Sequence, residues 1–335
     1  MADQGTPPSI PAVLDHVAVA AETWHQAWPR YVGELGGSWS SGERGPGFAP
    51  CQLAFANGAR LEILAPHRPE LNPFLRRFID RSGAGPHHLT FKVPDLDAAI
   101  DACRDRGIEP VNVDRSDPGW QEAFIHPARA LGIVVQLAQQ RGDWQLPAPD
   151  DFPEPARPAA SLVRATHSVA DLAAGEALFA GLLGGAVAAR STSADGRTLA
   201  VDLAWRGPLG LRLVGPAPRA EAPHTQPPGS EAPGSEAPGS EAPGSEAALR
   251  SWLGGRSGRL HHVAFACAAP DRVTGAVALH PVGAPLAAGD GTALVGVPAC
   301  DPVDRLGLRD GDGAVAVVPP EANLGTRLVL CRTNP

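Results

Sequence analysis

Two short stretches, "GPHHLTFKV" (residues 85–93) and "GRLHHVAFA" (residues 258–266), each open an apolar run with a pair of histidines. A further histidine, His16, lies in "LDHVAVA", and a carboxylate, Glu62, lies in "RLEIL". Imidazole close to neutral pH serves as a metal ligand, as a general acid or base, or as a hydrogen-bonded core group. A carboxylate inside an apolar strand needs a partner, because an uncompensated buried charge is costly. Neighbouring strand residues point to opposite faces, so only one histidine of each pair enters a given face. Such residues are explained either by a ligand site or by separately satisfied core groups.

These residues sit in a repeated pattern of elements. "LDHVAVA" alternates as a strand, and residues 22–37 place Trp24, Trp28, Tyr31 and Leu35 at helical spacing, with Pro29 expected to kink the helix. Strand-like runs follow near residues 38–45, in "CQLAFANG" and in "ARLEILAP". The order then restarts with "HHLTFKV", a helix in "DLDAAIDACRDRG" ended by Gly107, and the runs "PVNV", "WQEAFIHP" and "GIVVQLAQ". After a Pro-rich stretch the unit recurs from "LVRATHSVA" and again from "RLHHVAFA", where "VVPPEANLG" echoes "FIHPARALG". The expected organisation is a tail (1–13), a first domain (14–140), a linker (141–160) and a second domain (161–335). Four "PGSEA" copies lie in an insert (217–248) too poor in large apolar residues to offset the entropy of ordering, so the insert is expected to be disordered.

Composition narrows the function classes. The chain has 335 residues, a net charge of -8 and one lysine, Lys92, which argues against phosphate-backbone binding as a main activity. The five cysteines, at 51, 103, 267, 300 and 331, form no CxxC pair and suit a reducing cytoplasm. No signal-peptide pattern and no apolar run of bilayer length is present, so no membrane association is expected.

Four βαβββ units in two pairs, with a histidine near each first strand, resemble the vicinal oxygen chelate superfamily. That superfamily includes glyoxalase I, methylmalonyl-CoA epimerase and extradiol dioxygenases. The resemblance implies an α+β fold of two paired domains, each a cupped mixed sheet. The first half is most similar to methylmalonyl-CoA epimerase, through "LDHVAVA", "LEILAP", "NPFLRRFIDRSGAGPHHLTFKV" and "AFIHPARALGIVVQLAQ". Carried onto this chain, the metal positions of the family fall on His16 and Glu62 in the first unit and on His88 and Gln136 in the second. Strand alternation selects His88 over His87, which is left a packing or hydrogen-bonding role. In the second domain the same mapping gives His167, Arg212, His262 and Val329. A cation and an apolar residue cannot complete a metal site, so that domain is expected to be a degenerate copy.

Two imidazoles, a carboxylate and a carboxamide suit Co, Mn, Ni, Fe or Zn in an open site rather than a structural zinc. The resemblance implies a metal-dependent isomerase, epimerase or lyase that transfers a proton next to a chelated carbonyl of a small acyl-CoA, 2-oxo or 2-hydroxy compound. Glu62 is then both ligand and proton carrier, and Glu43, Glu122 and His126 are candidates for a second proton-transfer group. Arg76, Arg77 and Arg81 either meet a CoA phosphate or solvate a helix. An Fe(II) dioxygenase and a non-catalytic binding protein of the resistance type are the competing readings. The oligomeric state is left open.

Overall fold

A computed structural model describes residues 9–142, 146–193, 195–218, 244–278 and 314–333 of the chain. The first unit comprises β1 (Val13–Ala20), α1 (Trp24–Trp28), β2 (Ser38–Gly42), β3 (Gly47–Ala54) and β4 (Arg60–His67). Helix α2 (Phe74–Ser82) leads to the second unit, formed by β5 (Gly85–Lys92), α3 (Leu96–Arg104), β6 (Val111–Asp117), β7 (Trp120–Ile125) and β8 (Val134–Gln140). Their eight strands form one sheet in the order β2-β3-β4-β1-β5-β8-β7-β6. β1 and β5 are central and antiparallel, and each is flanked by a parallel strand, β4 or β8. The sheet is therefore a pair of related halves.

The second sheet repeats this plan with β9 (Ser161–Val169), α4 (Leu172–Glu176), β10 (Ala186–Thr192), β11 (Thr198–Ala204) and β12 (Gly210–Pro216). It continues through α5 (Ser245–Leu253), β13 (Gly258–Cys267), β14 (Val277–Ala278), β15 (Ala314–Val318) and β16 (Leu328–Arg332). The order is β10-β11-β12-β9-β13-β16-β15-β14. The expected α+β class of cupped mixed sheets is thus present in both halves.

Local sequence explains the helices. Thr23 caps α1 by accepting the Gln26 N–H, and Asp95 caps α3 by accepting the Ala98 N–H. Pro29 opens a π-helical turn over Pro29–Glu34, with Leu35 N–H donating to Arg30 O at 3.0 Å. The third unit widens in the same way over Ala177–Leu182 without a proline, Leu183 N–H donating to Leu178 O. The wide turn therefore belongs to the unit and is not a proline kink.

One hydrophobic core joins the two sheets. Tyr31, just after α1, faces Phe265 of β13, and Phe91 of β5 faces Phe179, just after α4. Two matching loops close the interface. Leu131 and Leu324 both adopt positive φ, at 55° and 48°, and each precedes a glycine in the same conformation. A Cβ on Gly132 would lie 2.0 Å from Gly258 O, and one on Gly325 would lie 1.9 Å from Ala84 O. Each loop thus lays its backbone against the strand entry of the other domain, where only glycine fits.

The segments between domains are anchored. In the stretch read as a linker, Phe152 packs edge-on against Trp28 and Trp39, Trp39 Nε1 donates to Leu146 O, and Ala160 N–H donates to Leu35 O. In the stretch read as an N-terminal tail, Ile10 N–H donates to Leu182 O of the second domain. The expectation of disorder to residue 248 is overturned at its end. Gly244 to Ala248, most of them from the last "PGSEA" copy, form the start of α5, and the Ser245 N–H and hydroxyl both donate to Asp195. At the other border Ala217 N–H donates to Arg197 O. Both borders therefore rest on the turn between β10 and β11, and residues 219–243 lie outside the described residues.

Gly132→Ala is expected to lower stability by about 3 kcal/mol, from backbone strain and overlap with Gly258. A urea midpoint equal to that of the unmodified protein would show that the two backbones do not approach this closely.

Candidate metal centre

Strand register brings the first-domain residues together. His16 (β1) pairs across to Thr90 (β5), and Ala18 pairs to His88. Ala18 also pairs to Glu62 (β4), and Thr90 also pairs to Gln136 (β8). His16, Glu62, His88 and Gln136 consequently share one face of the four central strands, opposite the large core. All four are buried, none more than 7 % exposed. Helix α2 covers part of this face, with Leu75 and Ile79 packed on Ala18, Ala20 and Leu64.

His16, Glu62 and His88 each offer a ligand atom within 4.8 Å of the others, and they form the only such group of three among the described residues. The Glu62 carboxylate stands between the rings, with Oε1 3.7 Å from His16 Nε2 and Oε2 3.6 Å from His88 Nε2. Both separations exceed hydrogen-bond range. Glu62 accepts only a 3.3 Å bond from Gln52 Nε2, and His88 Nε2 is buried with no hydrogen-bond partner. Burial raises the Glu62 pKa in spite of His16. Burial, and then the neighbouring imidazoles His87 and His16, hold His88 well below its ordinary value, although the nearby Gln136 side chain acts in the opposite direction.

The residues around this group fix its protons. Asp15 Oδ2 lies 2.9 Å from His16 Nδ1, and Asp15 is also held by Lys92 Nζ at 3.0 Å and Arg60 Nη1 at 3.2 Å. Burial alone would raise the Asp15 pKa, but His16 with Lys92 and Arg60 holds it below the usual carboxylate range. The carboxylate accepts a hydrogen bond from His16 Nδ1–H, which leaves the lone pair of His16 on Nε2. Thr90 Oγ1 stands 2.9 Å from that Nε2 and donates to Gln136 Oε1 at 2.6 Å. A hydroxyl has one proton, so while it bonds Gln136 the Nε2 lone pair of His16 lacks a donor.

Gln136 adjoins the group but is turned to its neighbours. Its Nε2 donates to Glu122 Oε2 at 2.6 Å, and Trp120 Nε1 donates to the same oxygen at 2.8 Å. Burial raises the Glu122 pKa. Two other expected residues stand apart. Glu43 is exposed beyond β2, and His126 is exposed with its Nδ1 accepting the Ala128 N–H. Arg76 pairs with Glu22 and Asp80, whereas Arg77 and Arg81 are exposed. Asp15, Gln52 and Thr90 were missed in the sequence. Asp15 and Thr90 flank His16 and His88 in "LDHV" and "HHLT", where a residue beside or two places from each histidine could have been tested for contact.

The second domain requires a correction. Its register pairs Thr166 with both Arg212 and His262, and pairs Arg164 with Ala264, which faces Val329. Arg164, not His167, therefore holds the place of His16. His167 points into the interface, where its Nε2 donates to Leu131 O at 2.9 Å and burial lowers its pKa to about 4. Arg212 is held by Asp202 at 2.6 and 2.7 Å, across the same rung that joins Glu62 to Gln52. The position of the Glu62 carboxylate carries a guanidinium, and that of the neutral Gln52 carries a carboxylate. Two arginines, His262 and Val329 do not make a cation site.

The donor set of the first domain fits a divalent ion. A buried carboxylate and two imidazole Nε2 atoms face a common centre, and hydrogen bonds among the described residues do not satisfy all three.

Comparison with known proteins agrees with the fold. Residues 15–124 match the model of the Glyoxalase/Bleomycin resistance protein/Dioxygenase superfamily. An uncharacterized Bacillus subtilis protein, YqjC, is 26% identical over 134 residues, which are 39% of this chain and 94% of that protein. Methylmalonyl-CoA epimerase from Mycobacterium tuberculosis is 27% identical over 39% of this chain and 89% of its own, with a TM-score of 0.36. A mutant 4-hydroxymandelate synthase from Streptomyces coelicolor is 14% identical and has a TM-score of 0.51, over 77% of this chain and 72% of its own. That likeness extends the shared fold into the second sheet. The matched segment lies within the domain built on β1 to β8, and that domain is similar to members of the glyoxalase/bleomycin resistance protein/dioxygenase superfamily.

Proposed function

We propose that the first domain is a divalent-metal enzyme that transfers a proton next to a carbonyl of a small 2-oxo or acyl thioester substrate. The observation that carries this reading is the buried Glu62 carboxylate set between two imidazoles at distances too long for hydrogen bonds. His16, Glu62 and His88 would hold the ion, and Gln136 stands beside them as a further oxygen donor. A bound divalent ion would act as a Lewis acid on neighbouring substrate oxygens and make an adjacent C–H proton removable near neutral pH.

The chain supplies the remaining parts. Asp15 fixes the tautomer and orientation of His16, as outer partners of metal-binding histidines do. Glu122 is the carboxylate proposed to take up and return the proton. Its raised pKa brings it closer to the operating pH, and Trp120 and Gln136 hold its Oε2 in place. Helix α2 keeps water from one side of the site.

One observation favours a second reading. With Gln136 engaged by Thr90 and Glu122, the remaining set is two histidines and one carboxylate, the donor set of non-haem Fe(II) oxygenases. Oxygen consumption by iron-loaded protein separates the two readings.

Elemental analysis of the purified protein is expected to find about one transition metal per chain. Glu62→Ala and His88→Ala should lose it and His262→Ala should keep it; absence of metal after reloading would sink the reading. Glu122→Gln is expected to retain the metal and to slow wash-in of solvent deuterium beside the carbonyl by about 10²–10⁴-fold. Undiminished exchange in that variant would remove Glu122 from the reaction.

A further inference from the structure

We infer that His87 is a positioning residue that holds the proton of His88 on Nδ1 and so aims the Nε2 lone pair at Glu62. This rests on the metal-site reading above and adds a part to it.

A flat strand would send His87 to the face opposite His88. The β1–β5 register shows why it does not. Pairing shifts between Ala18–His88 and Val19–Pro86, so His87 is an extra residue with no partner on β1. A second shift, between Leu14–Phe91 and His16–Thr90, leaves Asp15 unpaired in the same way. These are β-bulges, which re-aim side chains beside functional sites. Each stands immediately before a histidine of the central group.

The two bulged side chains make the same contact. Asp15 meets His16 Nδ1 at 2.9 Å, and His87 Nδ1 meets His88 Nδ1 at 2.8 Å. For two imidazole nitrogens at this distance, one donates and the other accepts. His88 Nε2 faces Glu62 and is otherwise without a partner. If that nitrogen is to hold a cation, His88 must carry its proton on Nδ1, and His87 Nδ1 must accept it. His87 then keeps its own proton on Nε2. An acceptor occupies the bulge in both halves of the sheet, a carboxylate in one and a neutral imidazole in the other.

Packing fixes the acceptor. The His87 ring lies 4.6 Å from Phe78 and 6.0 Å from Phe74, both of α2 and both roughly edge-on. Helix α2 thus packs on the ring that contacts His88. The second domain supports the assignment by contrast. Its two bulges hold Val163, which cannot accept, and His261, whose Nδ1 again meets the next histidine at 2.7 Å. Where the acceptor is gone, an arginine follows it in place of a ligand.

The internal duplicate names the conservative variant. His87→Asp reproduces the Asp15 arrangement, whereas His87→Phe and His87→Leu keep an apolar side chain against Phe74 and Phe78 without an acceptor. Co(II) affinity would be measured by chelator competition on full-length metal-free protein, with the Co(II) visible spectrum and the melting temperature of the metal-free form recorded beside it. His87→Phe and His87→Leu are expected to weaken Co(II) binding by about 10–100-fold and alter the spectrum. His87→Asp should bind within about threefold of the unmodified protein or more tightly. Unweakened binding in both apolar variants, with binding abolished in His88→Ala, would overturn this role and leave the metal site standing. So would His87→Asp binding no better than His87→Leu. Failure of the unmodified protein to bind Co(II) at all would overturn both.

Discussion

The first domain is organised around one awkward charge. Glu62 is a carboxylate sunk into the middle of a sheet, with a single weak hydrogen bond from Gln52 and two imidazoles just out of reach. A buried ion of this kind is tolerated only with compensation close by. Much of the local sequence answers that need. Asp15 and its two cations orient one ring, His87 contacts the other, and Thr90 and Gln136 close the polar face between them. Beyond that ring the face becomes apolar and is covered by α2.

Duplication makes the arrangement readable, and departures from symmetry make it specific. Ala18 and Thr90 are equivalent positions, each facing a histidine on one side and a Glu62 or Gln136 position on the other. The small residue leaves Glu62 open, and the hydroxyl occupies Gln136. The two halves of the site are thus related in backbone and different in hydrogen bonding. In the second domain divergence went further. Gln52–Glu62 became Asp202–Arg212, an ion pair that satisfies itself and leaves no carboxylate for a cation.

Much of this could be read from the chain alone. Period-two strands and repeated unit order were enough for the sheet plan, and the family resemblance pointed to His16, Glu62, His88 and Gln136, which the strands bring to one face. Sequence matching failed where similar strings fall at different places along a strand. "ATHSVA" aligns its histidine with that of "LDHVAVA", yet the pairing puts Arg164 at the place of His16 and His167 three residues further on, facing the interface. At His87 a bulge replaces simple strand alternation, while His88 is the residue that faces Glu62. Glu43 and His126 looked plausible because their types suit proton transfer, but each falls in an exposed turn, and nothing local to their sequence marks that difference. Asp15 and Thr90 went unnoticed because their value lies in partners 45 or more residues away, Arg60, Lys92 and Gln136.

The borders of the "PGSEA" insert have one more consequence. Ala217 is fastened to Arg197 and Ser245 to Asp195, so the two borders of the insert are held close together. For a flexible segment between two fixed ends, closure entropy grows only logarithmically with length, by about 0.6 kcal/mol per doubling. Copying errors in a tandem repeat gain or lose whole five-residue steps. Such changes would start and finish at the same clasp, leaving both sheets and the Glu62 face untouched. Repeat number at this place is thereby separated from the packing of either sheet.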